Sequence, residues 1–125
     1  MSDAHLTGLV PMAFVADVKR SIDFYKLLGF EVKNTFEHGG ELKWAYLVRD
    51  GAQIMVSKAS GPVDAEQQAV LFYLYATKVT EYREQLKAKG VKVGELAYPF
   101  YAEYGEFRVH DPDNYVLLIG SSDQR

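Results

Sequence analysis

The sequence contains no cysteine. This absence excludes disulfides, a thiol nucleophile and every thiolate metal site. Histidine is also scarce, with three residues, so histidine, aspartate and glutamate are the side chains left to bind a transition metal. No apolar run approaches the roughly 20 residues that cross a membrane, and residues 1–7 lack the charged start and apolar centre of a secretory signal. We therefore expect a cytoplasmic protein with no membrane partner.

A strong charge of one sign is lacking as well. The net charge of -3 comes from 17 acidic and 14 basic residues that are interspersed along the chain. There is consequently no basic cluster of the kind that binds nucleic acid or anionic lipid, and we expect no nucleic-acid partner. The length of 125 residues and a hydrophobic fraction of 48% fit a single compact domain over residues 1–125.

The first half of the chain has the pattern of one strand, one helix and three further strands. A strand-like segment covers residues 9–16, and Asp17 follows it as a candidate helix cap. The helix would end at Gly29, and FEVKNTF, LKWAYLVRD and AQIMVSK then predict three strands, the first two joined by a turn at HGG. The apolar stripe that predicts the buried face of the helix consists of Val18, Ile22, Tyr25 and Leu28.

The same pattern returns 61 residues later. Residues 70–76 resemble the first strand, and KVTEYREQLKAKG predicts a second helix. The constant offset predicts an α+β fold of two tandem β-α-β-β-β modules, at about 8–59 and 69–121, joined by a linker at about 60–68. Such modules can form a cup-shaped mixed sheet with the helices outside and a ligand within. The pairs at this offset are Val10 and Leu71, Gly29 and Gly90, and Asp50 and Asp111; Val79, Tyr82 and Leu86 are predicted to face inward.

Aromatic side chains are concentrated in residues 97–115, around glycine, prolines and charges. An irregular segment cannot turn all of its rings toward a core, so we expect some of them at the mouth of a cup or in a dimer interface. DPDN predicts a turn between two strands. The rings in question are Tyr98, Phe100, Tyr101 and Tyr104, and the nearby acidic residues Asp50, Glu103 and Glu106 are expected to be solvated.

Two segments carry a resemblance to a known family. SIDFYKLLGF and FRVHDPDNY are similar to motifs of the vicinal oxygen chelate superfamily, which contains glyoxalases, bleomycin-resistance proteins and extradiol dioxygenases. The resemblance implies paired modules, usually in a homodimer, and in its enzymes a metal held by histidine or glutamate in the first and last strands of each module. Here those positions are apolar, which predicts that the usual metal and its chemistry are missing and that no cofactor is bound. The four positions are Val10, Met55, Leu71 and Leu118.

The resemblance also implies a place for a ligand. Metal-free bleomycin-resistance proteins carry aromatic residues at the positions that match Trp44, Tyr73 and Tyr104, where they stack on a planar, cationic drug. Strand alternation adds neighbours on the same face, although Tyr73 and Tyr75 would equally suit a buried core. The predicted ligand-binding residues are Trp44, Tyr73, Tyr75, Tyr104, Tyr101, Phe14 and Met55.

Three hypotheses follow. The first is a homodimer that sequesters a planar, antibiotic-like small molecule without metal or turnover. In the most specific form of this hypothesis the small molecule is cationic. The second is a metal-dependent, glyoxalase-like lyase or isomerase, or a dioxygenase, of the same superfamily, which would use a relocated metal, or tyrosine and glutamate as acid and base. Its candidate residues are His5, His110, Glu106 and Tyr104. The third is a structural or regulatory module whose aromatic loop binds a protein partner.

Overall fold

The computed structural model describes residues 4–124. They form strands and helices in the predicted order except for the second strand of the second module, and the α+β class is confirmed. The linker between the two halves contains a short 3-10 helix, Ala65–Gln67, and a second one, Ser122–Gln124, follows the last strand. The main elements are β1 Met12–Val15, α1 Val18–Leu27, β2 Glu31–His38, β3 Glu41–Arg49, β4 Ala52–Lys58, β5 Phe72–Ala76, α2 Val79–Ala88, β6 Glu106–His110 and β7 Val116–Ser121.

The strands form two separate mixed sheets. Sheet 1 has the order β1-β4-β3-β2 and sheet 2 the order β5-β7-β6. In each sheet the first strand of the module runs parallel to the last, and the other neighbours are antiparallel. The order of sheet 2 is that of sheet 1 without a counterpart of β2, and the strands fall into two tandem modules as predicted.

The two helices repeat with the predicted offset. Helix α2 has the bounds of α1 displaced by 61 residues. Asp17 caps α1, since its side chain accepts a hydrogen bond from the backbone N–H of Arg20 at 3.1 Å. Gly29 lies just beyond α1 with a φ of 108°, a left-handed conformation that glycine adopts without a steric penalty. The predicted stripe on α1 is buried in full.

The second module departs from the prediction at its second strand. Backbone hydrogen bonds join residues 91–97 to β6 at two points: the N–H of Gly94 donates to the carbonyl of Arg108, and Ala97 exchanges two hydrogen bonds with Glu106. A methyl group on Gly94 would lie 3.2 Å from the Arg108 carbonyl oxygen, so the two backbones approach very closely there. The segment covers the edge of sheet 2 without forming a regular strand.

The core lies between the sheets and the helices and is shared by both modules. Polar contacts connect the halves as well. The Tyr25 hydroxyl donates to Asp111 at 2.9 Å, and the Tyr115 hydroxyl donates to the carbonyl of Phe14 at 2.8 Å. Asp111 also opens the predicted turn, in which Asn114 donates to its carbonyl. Burial raises the pKa of Asp111, against the opposing effect of the hydrogen bonds that its carboxylate accepts.

Each sheet therefore packs one face on a helix and leaves its other face open. On β1 the alternation is complete, because Ala13 and Val15 are buried whereas Met12 and Phe14 are exposed. Strand β1 is shorter than the predicted residues 9–16. It begins after Pro11, whose carbonyl accepts a hydrogen bond from Met55 but which has no N–H to donate. The open faces carry the candidate site.

Candidate ligand-binding site

The open face of sheet 1 carries two rows of mostly apolar side chains. The register pairs Phe14 with Ser57, Ser57 with Trp44, and Trp44 with Phe36, which gives one row across all four strands. Since directly paired residues share a face of a sheet, these side chains are neighbours. A second row lies two residues away along the strands and consists of Met12, Met55, Tyr46 and Asn34.

The open face of sheet 2 carries two tyrosines of β5. The rings of Tyr73 and Tyr75 lie 5.1 Å apart, and the side chains are 38% and 46% exposed. Their register partners on β7 are Leu118 and Gly120, both buried. These tyrosines therefore cover β7 from the open side, and they are not the buried core residues that the alternative interpretation of the strand would make them.

Glu106 is the polar centre of this face. Its carboxylate accepts a hydrogen bond from the Tyr73 hydroxyl at 3.0 Å and another from the Tyr101 hydroxyl at 3.1 Å, one on each oxygen. The residue is 6% exposed. The expectation of a solvated Glu106 is therefore wrong, whereas Glu103 and Asp50 are exposed as expected. The reason is the ring of Tyr73, which comes from a strand 33 residues away and covers the carboxylate.

Gly120 makes room for this arrangement. A Cβ at that position would lie 2.7 Å from the Tyr73 hydroxyl oxygen and 3.2 Å from the nearest ring carbon. Only a residue without a side chain allows the tyrosine to lie flat across β7 and reach Glu106 on the other side. The glycine in VLLIG is thus part of the site.

The Tyr73 hydroxyl is held in its protonated form. Burial of the hydroxyl, together with the hydrogen bond to Glu106 and the charge of that carboxylate, raises the pKa of Tyr73 to about 12. At neutral pH the group is a hydrogen-bond donor and not a base. This chemistry suits a binding face better than proton abstraction by Tyr73.

The loop of residues 97–105 borders sheet 2 and is rich in exposed rings. Phe100 is 98% exposed, and Tyr98, Tyr101 and Tyr104 are each more than half exposed. The loop is held by short turns, in which Ala102 donates to the carbonyl of Pro99 and Gly105 to that of Ala102. The expectation that these rings do not all pack in a core is confirmed.

The structure places the seven predicted residues on two surfaces. Phe14, Trp44 and Met55 lie together on sheet 1, while Tyr73 and Tyr75 lie on sheet 2 beside the loop that carries Tyr101 and Tyr104. Two concave regions of about 480 and 740 Å³ are lined by other residues of the described chain. In one chain, the predicted residues form open aromatic faces, and an enclosed pocket needs a second surface.

Two of the four positions that the resemblance assigns to a metal, Val10 and Leu71, lie before β1 and β5 and not in these strands as predicted, whereas the other two are apolar residues of the last strands. Met55 and Leu118 point to the open faces, in the middle of the last strand of each module. Among residues 4–124, no group of three or more His, Asp or Glu side chains is placed to hold a metal ion. His110 lies on the open face at the end of β6, and Asp111 beside it is buried and engaged by Tyr25.

Several residues of the open faces were not in the predicted set. Tyr46 and Phe36 belong to the rows on sheet 1, and strand alternation from Trp44 identifies Tyr46. Glu106 and Gly120 complete the Tyr73 network. No local pattern identifies their contact with Tyr73, because that contact joins strands that are distant in sequence.

In residues 4–124, no helix is long and apolar enough to cross a membrane. A search of curated protein sequences finds no significant match. A family model for the glyoxalase/bleomycin resistance protein/dioxygenase superfamily, in contrast, matches residues 4–119.

Solved structures with the same fold include antibiotic-binding and antibiotic resistance proteins. A transposon-encoded bleomycin resistance determinant is 17% identical with a TM-score of 0.73, and the match covers 93% of this chain and 98% of that one. A bleomycin-binding protein from Streptomyces verticillus, complexed with copper(II)-bleomycin, is 18% identical with a TM-score of 0.73 and coverages of 95% and 98%. A fosfomycin resistance protein from Listeria monocytogenes, complexed with Mn(II) and a dihydroxypropylphosphonic acid, is 20% identical with a TM-score of 0.69 and coverages of 97% and 96%.

At these identities the likeness demonstrates a shared fold, and the ligands of those proteins remain theirs. The family assignment rests on the model that spans almost the whole chain, together with the repeated modules and the two open sheet faces. The chain belongs to the glyoxalase/bleomycin resistance protein/dioxygenase superfamily.

Proposed function

We propose that this protein is a homodimeric, cytoplasmic binding protein that sequesters a small, planar, antibiotic-like molecule between aromatic side chains, without a metal and without turnover. The observation that carries the proposal is the chemistry of the open faces. Where the family's enzymes have metal ligands, these faces have Met55 and Leu118, surrounded by rings. Such surfaces offer stacking area and no Lewis acid.

Exposed apolar area supports the dimer. Phe14 is 54% exposed at the edge strand of sheet 1, and Tyr75 is similarly exposed on sheet 2. Groups of exposed apolar side chains on one sheet face often mark a surface that a partner or a ligand covers. A second copy that lays its sheet 2 over sheet 1 of the first would complete a cup, and two-fold symmetry would complete another.

A fluorescence titration tests ligand binding. Trp44, the sole tryptophan, lies in the aromatic row of sheet 1 and reports on a molecule stacked there. Metal-free bleomycin is added to protein treated with EDTA, and the variant Trp44→Phe provides the blank. We expect saturable quenching with a Kd of about 10 µM or below, in the range that stacking of several rings supplies.

The same titration separates the proposal from its rivals. Quenching that requires an added divalent metal would favour the metal-dependent lyase, isomerase or dioxygenase, and assays with chelatable substrates would follow. No binding of the drug in either condition would overturn the drug-binding form of the proposal. A protein partner captured through residues 97–105, with no small-molecule affinity, would favour the interaction module.

A further inference from the structure

Glu106 is unusual because its carboxylate is buried without an oppositely charged partner. It is a buried carboxylate, yet none of the ion pairs within residues 4–124 includes it. Arg108, two residues along the same face of β6, forms no ion pair with it. The partners of this carboxylate are two neutral hydroxyls. It therefore lacks the charge–charge attraction of an ion pair, which a cationic ligand could supply.

The carboxylate retains the capacity to accept more hydrogen bonds. Its two oxygens offer about four acceptor sites, and the hydroxyls of Tyr73 and Tyr101 occupy one site on each oxygen. A planar fork of two N–H groups matches two carboxylate oxygens in a bidentate geometry. Amidines and guanidines present such a fork, and a protonated amino-heteroaromatic ring presents in-plane amino N–H groups that can donate to one or both oxygens.

The two phenols differ in how firmly they are placed. Tyr73 belongs to β5 and lies against Gly120, whereas Tyr101 belongs to the exposed loop of residues 97–105. A ligand N–H can replace the Tyr101 hydroxyl on its carboxylate oxygen while Tyr73 continues to hold the other. The displaced ring of Tyr101 can then stack on the ligand.

We propose that Glu106 anchors the N–H groups of a planar nitrogenous ligand, a protonated amino-heteroaromatic or amidine, and so determines which planar molecules the protein binds. The inference rests on the proposed function and adds the chemical class of the ligand. A purely structural Glu106, which only holds Tyr73 and Tyr101 in place, predicts that removing its charge leaves the relative affinities for planar ligands of similar size unchanged.

Two tricyclic probes of nearly equal size separate these possibilities. At about pH 8, 9-aminoacridine is cationic and carries N–H donors, whereas acridine is neutral and has none. Their affinities are measured by titration calorimetry for the wild type, Glu106→Gln and Glu103→Gln. The last variant removes the same charge from an exposed position of the neighbouring loop. A charge-assisted hydrogen bond predicts that the wild type prefers 9-aminoacridine by about tenfold or more.

The inference expects Glu106→Gln to reduce that preference to within about twofold, and Glu103→Gln to retain it. Equal affinity of the wild type for both probes would overturn the inference and leave the proposed function intact. Loss of the preference in both variants would also overturn it, since bulk charge would then be the cause. Binding of neither probe by the wild type would count against the proposed function and the inference together.

A second variant keeps the test valid if Glu106→Gln does not fold. Tyr101→Phe retains the ring and the carboxylate but removes the hydroxyl that competes for one oxygen. If a ligand N–H takes that place, the affinity for 9-aminoacridine stays equal or rises. A fall of more than about threefold would overturn the inference, because it would mean that the Tyr101 hydroxyl itself binds the ligand.

Discussion

At the scale of single residues, the molecule places its rings and its carboxylates in an unusual way. Rings such as Tyr75 and Phe14 are exposed, whereas Asp111, Asp113 and Glu106 are buried. The buried carboxylates accept hydrogen bonds from backbone N–H groups and phenols. Asp113 also forms an ion pair with Arg20. Each buried carboxylate therefore carries a desolvation cost that the hydrogen bonds offset in part.

The desolvation of the buried Asp111 carboxylate predicts that the stability of the protein depends on pH. Because burial raises its pKa, the folded protein binds this proton more tightly than the unfolded chain does. The stability that the protonated form supplies is present at low pH and is lost as pH rises through the folded pKa. In Asp111→Asn this titration is absent, so the melting temperature of the variant relative to wild type should rise between about pH 4 and pH 7.

Asparagine fits the site, since its oxygen can accept the N–H groups of Asp113 and Tyr115 and its amide can donate to the Tyr25 hydroxyl. Asp50→Asn is the matched control, because Asp50 occupies the position 61 residues earlier and is fully open to solvent. Thermal unfolding followed by circular dichroism across that pH range measures the difference. A difference between Asp111→Asn and wild type that stays constant with pH would exclude Asp111 as the titrating group.

At the scale of elements, the sequence predicts most of the fold. The helices could be predicted because their apolar stripes have the helical period and each is followed by a glycine. The strands of the first module could be predicted for a similar reason, since turn residues separate them. The second strand of the second module could not, because the close approach of Gly94 to Arg108 depends on the edge of a sheet that forms elsewhere in the chain.

The residues that precede the two helices differ, although they occupy equivalent positions in the two modules. Asp17 caps α1 with its side chain, but the corresponding residue of α2 is Lys78, which has a left-handed backbone with φ of 50° and makes no capping hydrogen bond. A left-handed lysine is strained by contact of its Cβ with the backbone, on the order of 1 kcal/mol. The second module thus begins its helix at a cost that the first avoids.

Opposite effects on stability follow for the two caps. Asp17→Ala should lower the free energy of unfolding by about 1 kcal/mol, because a backbone N–H at the start of α1 loses its acceptor. Lys78→Gly should raise it by up to about 1 kcal/mol, because glycine adopts the left-handed conformation freely. Chemical denaturation measures both values.

Controls for these variants are available in the same helices. Asp23→Ala removes an acid from the exposed side of α1, and Lys78→Ala removes the lysine side chain but keeps the strained Cβ. If Lys78→Ala stabilised the protein as much as Lys78→Gly, the strain explanation would be wrong and the charge of the lysine would be the cause. Comparable losses from Asp17→Ala and Asp23→Ala would likewise argue against the cap.

At the scale of the whole molecule, the two modules share one core and leave two open faces. The sequence predicts which side chains lie on those faces, because alternation along a strand is local; Phe14, Trp44 and Tyr73 are examples. It could not predict that Glu106 is buried or that the rings of one chain lie on two surfaces. Both facts depend on how distant strands are placed relative to one another.

The open faces predict the oligomeric state. If sheet 1 of one copy covers sheet 2 of another, a glutamate in place of Phe14 puts an unpaired charge in the interface. The wild type should sediment as a dimer at about 50 µM, and Phe14→Glu should raise the dimer Kd by at least about tenfold, the usual effect of losing a buried aromatic anchor. Leu27→Glu is the control, because Leu27 has a similar partial exposure but lies at the end of α1, away from the open faces.

The double variant then shows which faces meet. If Phe14 and Tyr75 lie on surfaces that pack against each other across the dimer, their changes to glutamate should be strongly non-additive, since the first already separates the two surfaces. Additive effects on the dimer Kd would place the two residues in independent contacts. A monomeric wild type, or a Leu27→Glu variant that dissociates as readily as Phe14→Glu, would contradict the dimer built from open faces. In the monomeric case a ligand would have to be bound by one aromatic face alone, with correspondingly less of its surface covered.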